Sequence, residues 1–231
     1  KVGVKPSRLR VTQLQDLLTQ LREAMASTPS DAMFALMMLC HGTRIGETRQ
    51  AQWSHISLAE REWFIPAENT KTGVEHHLPL TDQVRHMLIS YREIQWASGY
   101  DGQFLFPSRN GKALSEGQAC AVFTRLGQGE WTSHDLRKVA RTGWADIGID
   151  YLIGELLINH AMVHNVKVYI QSDVMNRKRD ALEQWHAHLD QKGFSHIHGL
   201  TGFRTGDSGN APEATEHKGC EAFQETTIGE V

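Results

Sequence analysis

The sequence lacks the features that would assign it to several common classes of protein. No stretch approaches 18 consecutive apolar residues, so no membrane-spanning helix is expected. Its three cysteines (Cys40, Cys120 and Cys220) are scattered and odd in number, which favours a reducing compartment and gives no disulfide framework. We find no glycine-rich phosphate loop and no internal repeat. The absences leave a globular protein whose function must be sought in individually placed residues.

A surplus of positive charge is also absent. The chain has 24 basic and 27 acidic residues and a formal net charge of −3. Two of those basic residues and six of the acidic ones lie in residues 194–231, so residues 1–193 carry about +1. Charge alone therefore gives no support for a nucleic-acid partner. If the chain does bind DNA, its near-neutral charge predicts that the binding is weak.

The composition changes near residue 193. Beyond it, the sequence is rich in Gly, Thr and Glu, and its apolar residues are sparse and aperiodic. We therefore predict one domain over residues 1–193 and, over residues 194–231, a polar acidic tail that is disordered or depends on a partner for its structure. The chain opens "KVGVKPSRLR", without a methionine or the apolar core of a signal peptide, so we expect it to be a fragment of a longer protein.

The body predicts a mainly α fold with one small antiparallel sheet. A buried Met- and Leu-rich helix should start at Pro29 and stop at Gly42. The runs "QWSHISL", "EWFIPA" and "HHLPL" are short and separated by polar turns, which predicts a three-stranded meander. Thr132 and Asp135 form a capping-box pattern that begins another helix. Further helices are predicted over 12–25, 81–97, 115–127 and 152–157, with a last one ending near 189.

Four separated pieces of the body carry side chains suited to an anionic ligand. They are "GTRIGE" with Arg44 and Glu47, "TKTG" with Lys71, "HDLR" with His134 and Arg137, and "INHAMVHNVKVY" with His160 and Tyr169. Taken singly, each has an ordinary structural explanation, such as a solvated helix face, a turn lysine or a core tyrosine. His160 and Tyr169 are nine residues apart, and on one continuous helix that spacing would point their side chains in opposite directions. We therefore expect Asn165 to cap a new helix that carries Tyr169.

In this order and spacing, the pieces resemble the catalytic domain of the tyrosine recombinases, the phage-integrase type, from about Arg10 to Trp185. A lone His-x-x-Arg is common by chance, whereas the combination is specific. "INH" departs from the family's usual leucine-glycine-histidine, because Asn159 stands where glycine is common. The resemblance implies a tyrosine-recombinase catalytic-domain fold, in agreement with the mainly α (α+β) class predicted above.

The resemblance also implies a function: a site-specific, integrase-like DNA recombinase that cleaves and rejoins strands through a 3′-phosphotyrosyl intermediate, for integration or excision of a phage or mobile element. The implied partners are double-stranded DNA with specific recombination sites, a homotetramer on that DNA and accessory DNA-bending proteins. No cofactor, metal or membrane is implied, and the expected location is the cytoplasm, at the nucleoid. The amphipathic segment after Tyr169 could dock on a neighbouring subunit or pack on its own domain.

The residue types suit a phosphodiester. Arg44 and Arg137 can each donate paired hydrogen bonds to phosphate oxygens, and His160 would add a further donor where negative charge grows. These arginines and Lys71 are the predicted DNA-binding residues. Glu47 is expected to orient Arg44 without meeting the DNA.

The remaining roles concern protons. Tyr169 would be the nucleophile, and a free tyrosine has a pKa of about 10, so it needs a base or strongly positive surroundings. The resemblance makes His134 the acceptor of its proton and Lys71 the acid for the leaving 5′ oxygen.

Three rival functions remain. A type IB topoisomerase uses a similar pocket to relax DNA as a monomer, and a catalytically silent DNA-binding protein could keep the same fold. A zinc site is also conceivable, because His160 and His164 lie four residues apart and His76 and His77 are adjacent. No cysteine pair or glutamate accompanies these histidines at the usual ligand spacing, which disfavours a metal.

Overall fold

The computed structural model describes residues 7–160 and 174–199. Its helices are α1 (Leu14–Ser27), α2 (Pro29–His41), α3 (Ile45–Arg49), α4 (Asp82–Ala97), α5 (Glu116–Gly127), α6 (Ser133–Asp146), α7 (Tyr151–Leu157), α8 (Val174–Asp190) and α9 (Ser195–His198). Its strands are β1 (Ile56–Ser57), β2 (Glu62–Ile65) and β3 (His76–Pro79). The predicted mainly α class with a small sheet is confirmed. Within the described ranges, no helix is long and apolar enough to cross a membrane.

Helix α2 is the centre of the fold and contacts α1, α3, α4, α5, α6 and α8. Every residue from Ala32 to His41 is buried, as the Met- and Leu-rich pattern predicts. The helix begins with Pro29 and ends at Gly42, which has the left-handed φ of 65°. A Cβ at Gly42 would lie 2.7 Å from the ring of Trp144. A glycine here both ends the helix and lets it approach α6 closely.

The three strands form the predicted antiparallel meander, in the order β1-β2-β3. Trp63 of β2 pairs with Ile56 on one side and with Leu78 on the other. Trp63, Ile65 and Leu78 are buried, which gives the sheet one apolar face towards the helices. Residues 66–75 connect β2 to β3 and carry Lys71.

The start of α6 is fixed by the capping residues predicted from the sequence. The backbone N–H of Thr132 donates to Asp135 Oδ2 over 2.9 Å, and its hydroxyl donates to the same oxygen over 2.8 Å. The other oxygen, Oδ1, accepts from the Ser7 hydroxyl and the Arg8 backbone N–H, each at 3.1 Å. One carboxylate thus joins the entering chain to the first turn of the helix that carries His134.

Helix α8 packs on its own domain, which decides between the two placements left open for this segment. Trp185 is fully buried, and its indole N–H donates to the carbonyl of Leu39 over 3.1 Å. Gly143 of α6 lies directly against that ring, where a side chain would clash. Helix α8 is therefore covered within the same chain, by β3, α7, α2 and α6.

The packed part of the chain continues beyond the boundary predicted at residue 193. Gly193 turns the chain at a φ of 108°, and the next residue, Phe194, is fully buried. His198 follows in α9, and its Nε2 lies 2.8 Å from Asp190 Oδ1. Residues 194–199 thus pack on the domain because one aromatic anchor follows the turn, whereas the rest of the predicted tail, 200–231, lies outside the described residues.

Candidate active site

The sequence-predicted residues meet around one open pocket of about 400 Å³. It lies where the end of α2, the start of α6, the 66–75 loop and the residues after α7 come together. Its lining includes five of the six predicted catalytic side chains: Arg44, Lys71, His134, Arg137 and His160. The sixth, Tyr169, lies outside the described residues, as does the helix start expected at Asn165.

Arg137 is held by the carbonyl groups at two helix ends. Its Nη1 donates to the carbonyl of Gly42, which ends α2, and its Nη2 donates to that of Ile158, which ends α7, over 2.8 Å. Helix C-termini present unpaired carbonyls with partial negative charge, so they satisfy a buried guanidinium well. Burial, followed by the nearby Arg44, lowers the pKa of Arg137 to about 10, which leaves it protonated at neutral pH.

Arg44 stands immediately before α3 and is held by Glu47. The Arg44 backbone N–H donates to Glu47 Oε2 over 2.7 Å, and its Nη1 donates to Oε1 over 2.8 Å. Nη1 also lies 3.4 Å from the carbonyl of Ile158, which both guanidiniums therefore share. The side chain of Glu47 is only 2 % exposed and does not line the pocket, whereas that of Arg44 is 23 % exposed. Glu47 thus contacts Arg44 from outside the lining of the pocket, and its role in orienting Arg44 stays a prediction.

His160 owes its position to the way α7 ends. Asn159 takes a left-handed φ of 50°, its N–H donates to the carbonyl of Leu156, and the N–H of His160 donates to that of Glu155. This pair of bonds is the Schellman motif, in which glycine is usual and asparagine is the next best tolerated residue. The motif explains how Asn159 can stand where the resembled family has glycine. It also brings Nδ1 of His160 to 2.6 Å from Glu155 Oε2.

His134 and Lys71 are exposed and are not anchored in this way. Among the described residues, neither side chain makes a hydrogen bond or an ion pair. Partial burial, together with the positive charges of Lys138 and Arg137, lowers the pKa of His134, against the opposing effect of Asp135. His134 is therefore neutral at pH 7 and able to accept a proton.

Two residues of this region, Glu155 and Arg141, were not found from the sequence. Arg141 lies four residues after Arg137 on α6, a spacing that could have placed it on the same face. Glu155 lies five residues before His160, which is not a helix-face spacing, and the two meet only because the chain turns at Asn159. Helical periodicity therefore could not have predicted the contact between Glu155 and His160.

The histidines considered for a metal have other partners. His76 Nε2 lies 3.0 Å from the carbonyl of Leu157, and His77 Nδ1 lies 2.6 Å from Glu62 Oε1. In residues 7–160 and 174–199, no three His, Cys, Asp or Glu side chains come together as a metal site. His164 lies outside these residues.

Comparison with solved structures identifies the fold. A lambda integrase dimer bound to a COC′ core site is 21% identical, with a TM-score of 0.55, over 70% of this chain and 60% of that one. XerA recombinase is 20% identical, with a TM-score of 0.55, over 81% and 65%. The integrase of mycobacterium phage Brujita is 18% identical, with a TM-score of 0.61, over 80% and 59%. The chain thus spans about three fifths of the length of these proteins.

Sequence comparison gives the family. No curated protein sequence matches the chain. The model of the phage integrase family matches residues 7–175, which is most of the chain. The chain therefore belongs to the phage integrase family and has the fold of a tyrosine-recombinase catalytic domain.

Proposed function

We propose that this chain is the catalytic part of a site-specific DNA recombinase that cleaves and rejoins DNA through a 3′-phosphotyrosyl intermediate. The observation that carries the proposal is the joint position of Arg44, Arg137 and His160 on one pocket. Two guanidiniums that share one carbonyl both line the same pocket, and guanidinium donors suit the two nonbridging oxygens of a phosphodiester.

The proposed step is an in-line displacement at phosphorus. The phenolic oxygen of Tyr169 bonds to the phosphorus as the bond to the 5′ oxygen breaks, which leaves a 3′-phosphotyrosyl link and a free 5′ hydroxyl. His134 takes the phenolic proton, and Lys71 gives a proton to the departing oxygen. Arg44, Arg137 and His160 stabilise the charge that grows on the nonbridging oxygens.

Rejoining reverses these transfers. A 5′ hydroxyl attacks the phosphotyrosyl link, Lys71 takes back its proton and Tyr169 leaves as a phenol. The link keeps the energy of the original phosphoester, so rejoining needs no nucleotide. If the attacking hydroxyl comes from a second duplex, the strands are exchanged.

The proposed partners are duplex DNA with recombination sites and further copies of the chain. Lambda integrase, a structural neighbour, has been solved as a tetramer bound to a Holliday junction. We propose a similar assembly here, acting on the nucleoid for integration or excision of a phage or mobile element, with DNA-bending proteins as accessories. Residues 1–193 are near neutral in charge, so the affinity of this chain for DNA should come mainly from contacts at the pocket. Contacts of the rest of the surface with the DNA backbone should be weak and sensitive to salt.

A nicked duplex that loses a short fragment after cleavage tests the nucleophile directly. We expect a covalent protein–DNA adduct, which Tyr169→Phe abolishes. Tyr151→Phe is the matched control, because Tyr151 is the most exposed tyrosine of the described residues and keeps its ring in the variant. An adduct that survives Tyr169→Phe would refute the nucleophile.

The same preparation separates the rival activities. DNA binding without any adduct would indicate a catalytically silent protein of the same fold. Relaxation of supercoiled DNA without recombinant joints would indicate a topoisomerase. Sensitivity of cleavage to EDTA would point to a metal.

A further inference from the structure

The Glu155 carboxylate bridges His160 and Arg141 beside the candidate active site. Its Oε2 lies 2.6 Å from Nδ1 of His160. Its Oε1 accepts from Nε of Arg141 over 2.9 Å and lies 2.9 Å from Nη2 of the same guanidinium. Because one ring nitrogen of His160 is engaged by Glu155, Nε2 is the nitrogen left for a ligand.

Arg141 also contacts two residues of α7. Its Cζ lies 4.8 Å from the ring centroid of Tyr151, a distance typical of cation–π stacking. Gly154 is close as well, because an added Cβ there would lie 3.1 Å from that Cζ. A guanidinium in contact with a ring and a glycine, with both donors on one carboxylate oxygen, has little freedom to move.

The charges of the network suit a position next to an anion. The side chains of Glu155 and Arg141 are 17 % and 20 % exposed, and that of His160 is 47 % exposed. Burial alone would raise the pKa of Glu155, but the bonds from His160 and Arg141 outweigh it and lower the pKa, so the carboxylate is ionised. Arg141 offsets this negative charge, which would otherwise repel a phosphate nearby.

We propose that Glu155 and Arg141 are positioning residues for DNA cleavage, which hold His160 by Nδ1 so that Nε2 donates to the scissile phosphate. The inference rests on the proposed function, since it gives His160 a phosphate to bind. Carboxylates that orient a histidine from behind act in the same way at metal sites, where their removal costs about 10- to 100-fold in activity. The alternative is an ion pair that only joins α6 to α7.

Glu155→Gln tests the proposal, because it removes the charge and keeps the shape. We expect the single-turnover rate of adduct formation on nicked DNA to fall about 10- to 100-fold. Affinity for uncleaved DNA, measured with Tyr169→Phe present, should change by no more than about twofold, because Glu155 does not reach the DNA. In a His160→Gln background, Glu155→Gln should change the rate by less than about twofold, since no histidine remains to be positioned.

Asp31→Asn is the matched control. Asp31 is 16 % exposed and is paired with Arg125 over 2.6 Å, but it lies at the far end of α2 from the pocket. We expect it to alter thermal stability as much as Glu155→Gln does and to leave the cleavage rate unchanged. If Glu155→Gln has the parent rate, or loses the same factor with and without His160, the inference is wrong.

A second measurement does not depend on activity. In ¹⁵N–¹H spectra of the full chain, both ring nitrogens of His160 should carry a proton, because Nδ1–H must donate to Glu155 and Nε2–H to the phosphate, and Glu155→Ala should change that pattern. If the parent forms no adduct, the proposed function fails, and this spectrum still decides whether Glu155 sets the state of the ring. Spectra that do not respond to Glu155→Ala would overturn the inference.

Discussion

The two halves of the candidate active site are built differently. Arg44, Arg137 and His160, proposed to hold the phosphate, are each fixed by hydrogen bonds to a carboxylate or to carbonyls at helix ends. Lys71 and His134, proposed to move protons, make no side-chain hydrogen bond or ion pair in the described part of the chain.

The difference follows from what each group must do. Donors that stabilise developing charge are most effective when they are already oriented, because no reorganisation is then needed during the reaction. A proton carrier must instead reach its partner at the moment of transfer, and its partners here are the substrate and Tyr169. We call Arg44, Arg137 and His160 the held half of the site. Substitutions in the held half should disturb both the fold and the chemistry, whereas substitutions of Lys71 or His134 should disturb the chemistry alone.

Among these five residues, the largest effect is expected at Arg137. Arg137→Lys should lower the rate of adduct formation about 1000-fold, because lysine cannot donate two parallel bonds to phosphate. It also leaves the carbonyl of Gly42 or Ile158 without its donor, which should lower the free energy of unfolding by about 1–3 kcal/mol. Arg125→Lys, at an exposed ion pair, is the control for both single-turnover kinetics and thermal unfolding. A rate close to that of the parent would mean that the held half does not bind the phosphate.

Lys71→Ala should separate chemistry from stability. We expect the cleavage rate to fall about 100-fold, since general acid catalysis by a side chain typically contributes 10²- to 10⁴-fold. The melting temperature should not change, because Lys71 is exposed and has no partner among the described residues. Sulfur in place of the leaving 5′ oxygen should restore the rate, because a thiolate leaves without an acid. Lys112→Ala is the control on another exposed loop, and an unrestored rate would contradict the assignment.

The pH dependence of cleavage should report His134. The pKa of His134 is lowered from its usual value of 6.5, so the side chain is neutral and able to accept a proton throughout the neutral range. The rate should therefore be constant near pH 7 and fall only below about pH 6.5. His134→Gln should lower the rate and remove this acidic limb. If the limb persists in His134→Gln while circular dichroism reports a folded chain, another group is the proton acceptor.

Acid should also lower the stability of the fold through three buried histidines. Burial lowers the pKa of His41 to about 4 and those of His76 and His186 to about 3. The unfolded chain binds these protons near pH 6.5 and the folded chain does not, so stability is lost as the pH falls from 6.5 towards 4. Each histidine contributes a slope of about 1.4 kcal/mol per pH unit. His76→Gln should reduce the slope of unfolding free energy against pH by that amount, and an unchanged slope would mean that His76 is not neutral in the fold.

The sequence predicted the features that are encoded locally. The stop of α2 at Gly42, the Thr132–Asp135 cap of α6 and the three-strand meander each depend on a few neighbouring residues. The grouping of the five described side chains came from the resemblance to a family, and the pocket agrees with it. The roles of these residues, and all that concerns Tyr169, stay predictions.

What could not be predicted depends on contacts distant in sequence. The carbonyls of Gly42 and Ile158 that hold Arg137 are backbone groups at the ends of two helices, and backbone carbonyls leave no mark in a sequence. The pairing of Glu155 with His160 requires the turn at Asn159. The packing of residues 194–199 depends on the single anchor Phe194, which a compositional boundary at 193 does not detect.

A structure of the Tyr169→Phe chain bound to duplex DNA tests most directly whether the held half encloses one phosphate. We expect the nonbridging oxygens of a single phosphodiester to lie about 2.7–3.2 Å from donors of Arg44, Arg137 and Nε2 of His160. A DNA backbone that passes elsewhere, or a phosphate that meets one of the arginines and not the other, would contradict it.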